Sequence, residues 1–450
     1  MAEVKGLDGK LDGKQRLFLI SLDAVGSKDM EYMSSLPNFG SFLKGAAYCP
    51  NVKSVYPTLT YPAHTSIVTG KYPIHHGIVN NTTFQPKRLK PDWFYQRKNI
   101  IGTTLYDEVI KKGWKVAALL WPVTGKSEIH YNLPEIHPYR WWQTQITTTL
   151  TQGSAGFILG LLPYLKMIKK GTRQPALDDF VHKSALHTIR KYNPNLFMLH
   201  YLDVDFTRHG YGLNNEHVRE AMHRMDKRLG ELLRVIEETG DMDNTTICIL
   251  GDHYQKDTHT IFYPNTYLKN RGYVKTKGDK IASYKAVVKN CDGSAYIYLN
   301  PSYEECSPEW EKLKAEVLKL FDEVMQNKDF GIKCIFSREE AVQKGADAQC
   351  IGMLEAADGF YFLDETEVLL RNVSEEKLHK MRATHGYDPM GEDYGTFFMA
   401  KGKGIRENVR IDGMNLVDEG ATLAHMLNVN LGDTDGKIIH EILAERKIPK

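Results

Sequence analysis

Short, continuous apolar runs recur along this 450-residue chain with helix-like patterns between them, and this alternation constrains its fold more than any other feature. The runs predict strands at 17–22, 114–120, 195–201, 245–250 and 396–400. Since they are apolar throughout, they are typical of strands buried on both faces. Apolar residues at helical spacing predict helices at 103–112, 177–191 and 215–239. The sequence therefore predicts an α/β fold, with a mostly parallel sheet and helices on both faces.

The pattern changes between residues 254 and 384, where strand-like segments surround an amphipathic helix over 308–326. We interpret 254–384 as an inserted cap subdomain, 16–253 with 385–450 as the core, and 1–15 as a flexible N-terminus. Because the insert leaves and rejoins the core beside candidate site residues, we expect it to roof a substrate pocket. The alternative is a peripheral subdomain that stabilises the fold or an oligomer.

Composition excludes several classes of protein. The 42% hydrophobic content is that of a globular chain, and a formal net charge of +2 argues against binding to bulk nucleic acid. No apolar run reaches the roughly 20 residues of a membrane-spanning helix, so no membrane span is predicted. The six cysteines contain no CxxC pair, and residues 1–16 lack the apolar core of a secretory signal. A cytoplasmic location is the resulting expectation.

Three acidic residues follow predicted strands, and histidines accompany them. Ligands of open α/β sheets bind beyond the carboxyl ends of the strands, where residues far apart in sequence converge. Carboxylate and imidazole groups together suit zinc, and these donors suffice for two ions. Manganese is the alternative metal. The candidate metal ligands are Asp23, Asp205, His209, Asp252, His253 and His385.

Thr60 is a candidate nucleophile and a further candidate metal ligand. Pro57 and Pro62 flank it and helix-like residues follow, so we expect Thr60 at or near a helix N-terminus, where exposed N–H groups favour an anion. A hydroxyl at that position is often only a helix cap. Beside two metal ions, however, it can lose its proton and attack phosphorus.

Together these motifs resemble the nucleotide pyrophosphatase/phosphodiesterase branch of the alkaline phosphatase superfamily. The motifs are SLDAVG, PTLTYPAHTSIVTG, DxxxH, GDH and HGYD, in the order of that family. The resemblance implies an alkaline-phosphatase-like fold and a two-zinc phosphodiesterase or nucleotide pyrophosphatase that acts through a phosphothreonine intermediate. It implies one zinc on Asp205, His209 and His385. It implies a second on Asp23, Asp252, His253 and the Thr60 oxygen.

The resemblance also assigns residues that would contact the substrate. It implies that Asn81 helps to hold a phosphate oxygen and that the Tyr61 ring stacks on a nucleotide base. The resemblance implies a small-molecule phosphoester substrate, specifically a nucleotide. Leu59 and Ala63 depart from the family pattern, so the exact substrate is left open. Phosphomonoester hydrolysis, or P–C bond cleavage as in phosphonoacetate hydrolase, is the alternative activity. Lys126 could reach a carboxylate or phosphate, but a solvent-exposed position is the favoured expectation for it. A non-catalytic binding protein is the alternative from another class.

Two further segments have no assigned role. Residues 139–142 (YRWW) and the apolar stretch 156–168 either line a substrate pocket or rest against the core.

Overall fold

The computed structural model of the protein describes residues 15–138, 140–169, 171, 173–375 and 381–444. Almost all of the predicted N-terminal segment 1–15, as well as Tyr139, lies outside these ranges. A central sheet of eight strands organises the described chain. Its strands, in spatial order, are Met414–Asn415, Ala47–Lys53, Thr396–Gly402, Thr245–Leu250, Arg16–Leu22, Leu196–Tyr201, Val116–Leu119 and Tyr131–Leu133.

The sheet is mostly parallel, as predicted. Arg16–Leu22 lies at its centre and pairs in parallel with Leu196–Tyr201 on one side and Thr245–Leu250 on the other. Only Thr396–Gly402 runs antiparallel to its neighbours within this described sheet. All five predicted strands are present, with bounds that differ by no more than two residues. Because the three central strands are parallel and adjacent, the residues that follow them meet at one edge.

Helices cover both faces of the sheet. Leu17 and Leu19 pack towards one face, whereas Phe18 and Ile20 pack towards the other, since side chains alternate along a strand. The predicted helices are found at Leu105–Lys111, Ala176–Tyr192 and Glu216–Glu238. The other α-helices of the core are Met30–Ser35, Pro37–Leu43, Thr60–Thr69, Pro73–His76, Gln145–Gln152, Ala155–Gly160, Asp203–Tyr211 and Leu416–Leu427.

Residues 254–384 form additional sheets that pack against the core. One is a four-stranded antiparallel sheet in the order Ala286–Cys291, Ser294–Leu299, Gly352–Ala356 and Ile332–Ser337. The predicted amphipathic helix, Pro308–Met325, packs with this sheet in one apolar cluster. The cluster also contains Tyr56 and Leu59 from the segment before Thr60. The two ends of the insert lie side by side, because strand Lys256–Phe262 pairs with Ala383–Thr384.

The remaining elements are short. A third sheet joins Gly359–Phe362, Lys256–Phe262, Leu370–Asn372 and Ala383–Thr384, and Val274–Lys277 pairs with Lys280–Tyr284 in a hairpin. The insert also contains the helices Pro264–Asn270 and Arg338–Gln343. Single 3₁₀ turns occur at Ser27–Asp29, Arg97–Asn99, Met242–Asn244, Lys328–Phe330, Val373–Glu375 and His440–Ile442, and a longer one at Leu162–Ile168. Among the described residues, no helix is both long and apolar enough to cross a membrane.

Candidate active site

The candidate residues converge at the carboxyl end of the central strands. Asp23 follows strand Arg16–Leu22 directly, and Asp252 lies two residues beyond strand Thr245–Leu250. Asp205 lies in helix Asp203–Tyr211, which begins just after the third central strand. Parallel pairing of these strands brings the three carboxylates together, although Asp23 and Asp252 are 229 positions apart in sequence.

One cluster contains Asp205, His209 and His385, whose ligand atoms lie within 4.8 Å of one another. Asp205 and His209 are four residues apart, so one helix face presents both. His209 Nδ1 donates to the carbonyl of Ala383 at 2.8 Å, and His385 Nδ1 donates to the carbonyl of Thr58 at 3.1 Å. These bonds leave both Nε2 atoms on the side of Asp205, at 3.3 Å and 3.9 Å from its Oδ1. Backbone carbonyls orient metal-binding histidines in this way.

The second cluster contains Asp23, Asp252 and His253, all of which are buried. His253 Nε2 lies 3.5 Å from Asp23 Oδ1 and 3.2 Å from Asp252 Oδ2. It also lies 3.2 Å from Thr60 Oγ1. The two clusters are adjacent, because the ring centroids of His253 and His385 are 4.1 Å apart.

Unsatisfied polar atoms show that a cation fits the second cluster. Asp23 Oδ1 and Asp252 Oδ2 are buried without a hydrogen-bond partner among the described residues. Burial, with the nearby Asp205 and Asp252 carboxylates, raises the pKa of Asp23 well above its usual range, and burial raises the pKa of Asp252 to about 7. Burial also lowers the pKa of His253, which favours the neutral imidazole that metals bind. The donor set thus matches a divalent cation with mixed oxygen and nitrogen ligands.

Thr60 is the first residue of helix Thr60–Thr69, as the flanking prolines predicted. Leu59 caps the helix with extended backbone and no side-chain cap, so the Thr60 hydroxyl is not used as a cap. Asn81 Oδ1 accepts the backbone N–H of Tyr61 at 3.0 Å, which anchors Asn81 beside the helix N-terminus. Thr60 and Asn81 therefore line one cavity.

The structure places Tyr61 differently from the expectation that its ring stacks on a base. Its side chain is 0% exposed, and its hydroxyl donates to the Glu135 carbonyl at 3.4 Å. Trp93 packs edge-on against Tyr61 at 5.0 Å and itself lines the cavity. The first turn of the helix points the Tyr61 side chain into the protein, so Trp93, rather than Tyr61, offers its ring to a ligand in this cavity.

The cavity has a volume of about 390 Å³ and walls of different character. Its apolar lining residues include Leu177, Leu202 and Phe206, and residues of the insert contribute Asn290 and Asp292. The other lining residues are Asp23, Leu59, Thr60, Asn80, Asn81, Thr82, Trp93, Glu135, His137, Gln174, Asp205, His209, Cys291, Met381 and His385.

Sequence reasoning missed a buried histidine that contacts the site. His200 Nε2 bonds Asp23 Oδ2 at 3.1 Å, and its Nδ1 lies 3.2 Å from Glu135 Oε2. Burial alone would lower the pKa of His200, but these bonds to carboxylates raise the pKa well above its usual range. The sequence signal that could have identified His200 is a histidine inside the otherwise apolar strand LFMLHY. Gln255 was also missed, and its Nε2 donates to Asp205 Oδ1.

Replacing His200 by alanine is expected to destabilise the protein by about 3–5 kcal/mol, because the buried Asp23 carboxylate loses its hydrogen bond and the buried Glu135 keeps only the longer contact to His137, at 3.4 Å. Metal affinity should fall about 10–100-fold as Asp23 loses its orienting partner. Denaturant unfolding and metal titration measure the two effects. His182→Ala is the matched control, since His182 is also buried and bonds Tyr201 and Glu231, neither of which is a candidate metal ligand. Equal metal affinity in both variants would contradict this role.

Comparison with known proteins identifies the family. The sequence profile described as Type I phosphodiesterase / nucleotide pyrophosphatase matches residues 17–388. The chain belongs to this family. The phosphodiesterase/nucleotide pyrophosphatase resemblance predicted from the motifs is thereby confirmed.

Relatives in this family are distant in sequence. Human ectonucleotide pyrophosphatase/phosphodiesterase family member 1 is 27% identical over 267 residues, which are 56% of this chain and 25% of that protein. The chain thus spans about a quarter of the length of that relative. Human family member 5 is 23% identical over 425 residues, which are 92% of this chain and 75% of that protein. The cytoplasmic location stays a prediction.

Solved structures of this family share the fold. Murine family member 5, as an inactive variant in complex with AMP, matches with a TM-score of 0.65 at 19% identity, over 96% of this chain and 100% of that one. Human family member 5 matches with a TM-score of 0.66, also at 19% identity and with the same coverage. The predicted alkaline-phosphatase-like α/β fold is confirmed.

Proposed function

We propose that this chain is a divalent-metal-dependent phosphodiesterase and nucleotide pyrophosphatase with Thr60 as its nucleophile. The observation that carries the proposal is the position of the Thr60 hydroxyl, at a helix N-terminus and 3.2 Å from His253 Nε2, in the second of two adjacent carboxylate and imidazole clusters. A hydroxyl beside two candidate cation sites suits attack on phosphorus better than a structural role.

Two zinc ions are the proposed cofactors, with manganese as the alternative. Asp205, His209 and His385 would hold one ion. Asp23, Asp252, His253 and the Thr60 oxygen would hold the other. When bound, such ions supply positive charge that lowers the pKa of a ligated hydroxyl and neutralises phosphate oxygens.

The residues of this chain would act in two displacements. Thr60 Oγ1 forms a bond to phosphorus while the bond to the leaving oxygen breaks, and the hydroxyl proton passes to solvent. Water then attacks the phosphothreonine, the bond from phosphorus to Oγ1 breaks, and Thr60 regains a proton. The Asn81 amide oxygen is used by the Tyr61 N–H, so its NH₂ group is the donor for a non-bridging phosphate oxygen. Helix Thr60–Thr69 adds its positive dipole end.

Charge in the cavity favours a phosphodiester over a phosphomonoester. Among the described residues that line it there is no Lys or Arg, whereas Glu135 and Asp292 add negative charge. A monoester dianion, or the carboxylate of phosphonoacetate, would lack a fixed cationic side chain there. Lys126 is exposed, as favoured from the sequence, and does not line the cavity, so it does not supply that cation.

A nucleotide is the proposed substrate class. The related murine family member 5 has been solved in complex with AMP. In this chain, Trp93 and His137 line the cavity as a pair, with ring centroids 4.3 Å apart, and offer an aromatic surface to a base. The insert, as proposed, roofs the leaving-group side of the cavity through Asn290 and Asp292.

Comparison of three substrates tests the proposal. Zinc-loaded enzyme is expected to hydrolyse bis-p-nitrophenyl phosphate faster than p-nitrophenyl phosphate, and phosphonoacetate least. Thr60→Ala, assayed on each substrate, corrects for contaminating activity. A preference for the monoester or the phosphonate would overturn the diesterase assignment. Absence of turnover on all three would favour the non-catalytic alternative.

A further inference from the structure

A second surface, beside the active-site cavity, exposes several large apolar side chains. Within the described chain, Trp141 is 92% exposed and Ile146 is 64% exposed, and other large apolar side chains accompany them over a short stretch of sequence. A concentrated apolar surface of this kind marks an interaction site. The five side chains are Trp141, Trp142, Ile146, Leu159 and Leu162.

Three of these side chains line an apolar crevice, and Trp141 and Trp142 precede its first helix in sequence. Helices Gln145–Gln152 and Ala155–Gly160 and the turn Leu162–Ile168 enclose a volume of about 110 Å³. The crevice is lined almost wholly by leucine, isoleucine and phenylalanine, and Ile146, Leu159 and Leu162 belong to its walls. Leu177 lines both this crevice and the active-site cavity, so the two adjoin.

The charge of the same segment is one-sided. Residues 136–177 contain no Asp or Glu, although the whole chain carries 56 of them. The basic residues in that segment are Arg140, Lys166, Lys169, Lys170 and Arg173. Lys166, Lys169 and Arg173 are exposed. The segment 136–177 therefore combines apolar groups, a tryptophan pair and positive charge with no acidic residue of its own, in a chain of nearly balanced overall charge.

We propose that this surface docks on a lipid bilayer that carries anionic lipids. We call it the docking face and define it by Trp141, Trp142, Ile146, Leu159, Leu162, Lys166, Lys169 and Arg173. Tryptophan prefers the headgroup level of a bilayer, and aliphatic side chains enter the boundary of the acyl region. Lysine and arginine beside them pair with anionic headgroups.

Charge distinguishes this partner from a second copy of the chain. In a two-fold dimer the same patch meets itself, so the Lys166 and Lys169 ammonium groups would approach their own copies, and residues 136–177 offer no acidic side chain to compensate. An anionic bilayer supplies the missing negative charge over the whole face. Because Leu177 joins the crevice to the active-site cavity, docking would hold that cavity next to the lipid surface.

Cosedimentation with vesicles tests the docking face without relying on activity. The full chain is expected to bind vesicles of phosphatidylcholine and phosphatidylserine, more weakly at high salt, and to bind pure phosphatidylcholine vesicles far less. Trp141→Ala with Trp142→Ala should weaken binding about tenfold or more. Lys166→Glu with Lys169→Glu should weaken it by a similar factor, since each basic group contributes about fivefold.

Matched controls leave the docking face intact. Met390→Ala removes an apolar side chain that is 60% exposed elsewhere, and Lys312→Glu with Lys319→Glu makes the same charge change on helix Pro308–Met325. Both controls should bind as the unmodified protein does. Vesicle binding by the Trp141 and Trp142 variant equal to that of the unmodified protein would overturn the proposal. So would a failure of the unmodified protein to bind either kind of vesicle. A dimer, detected by light scattering and abolished by these substitutions, would also overturn it.

Discussion

Replacing Thr60 by alanine is expected to lower kcat on a phosphodiester about 10⁴-fold or more, the scale seen when a covalent nucleophile is lost. The substitution removes the oxygen that attacks phosphorus and one candidate ligand of the buried cluster. The site should otherwise persist, since His64 Nδ1 bonds the Thr60 backbone carbonyl, not its side chain. Steady-state kinetics on bis-p-nitrophenyl phosphate measure the loss.

Thr60→Ser is the matched control for that experiment. Serine keeps the hydroxyl and loses only a methyl group, so activity should stay within about 10–100-fold of the unmodified enzyme. Circular dichroism and thermal unfolding of both variants establish that they fold. An alanine variant as active as the serine variant would remove Thr60 from the chemistry.

Chelation of divalent metal is expected to abolish turnover and to lower the Tm by several degrees. Without a cation, Asp23 and Asp252 keep buried oxygen atoms that have no partner in the described chain, and a bound ion stabilises the folded state by mass action. Activity and Tm should both return on addition of zinc. Magnesium should restore less, because the imidazoles of His253 and His385 are poor ligands for it. Full activity after chelation would contradict a metal-dependent mechanism.

Metal analysis separates the two clusters. Protein purified without chelator should contain about two equivalents, and His385→Ala should lose about one of them, because His385 belongs to the cluster with Asp205 and His209. His182→Ala, which alters a buried histidine away from the cavity, should retain both. Full occupancy in the His385 variant would mean that this ligand assignment is wrong.

The sequence predicted the central sheet and the convergence of its acidic residues because both depend on local pattern. Apolar runs locate the buried strands, and parallel pairing then brings Asp23, Asp205 and Asp252 together without further information. The helix start at Thr60 was predictable for the same reason, since flanking prolines restrict the backbone locally.

Contacts between distant segments could not be predicted. The bond from His200 to Glu135 depends on how the loop after strand Tyr131–Leu133 folds back over the sheet, and no local pattern encodes it. The contact between the Tyr61 and Trp93 rings was also missed, because Trp93 reaches Tyr61 from a segment outside the named helices and strands. The strand Ala47–Lys53, second from one edge of the sheet, was missed because its polar Asn51 and Lys53 and its Pro50 interrupt the apolar run.

The stereochemical course at phosphorus tests the central claim most directly. Hydrolysis of a chiral phosphorothioate diester by the zinc-loaded enzyme should proceed with retention of configuration, since attack by Thr60 and then by water inverts phosphorus twice. Inversion would mean a single attack by water on the substrate and would contradict the phosphothreonine intermediate.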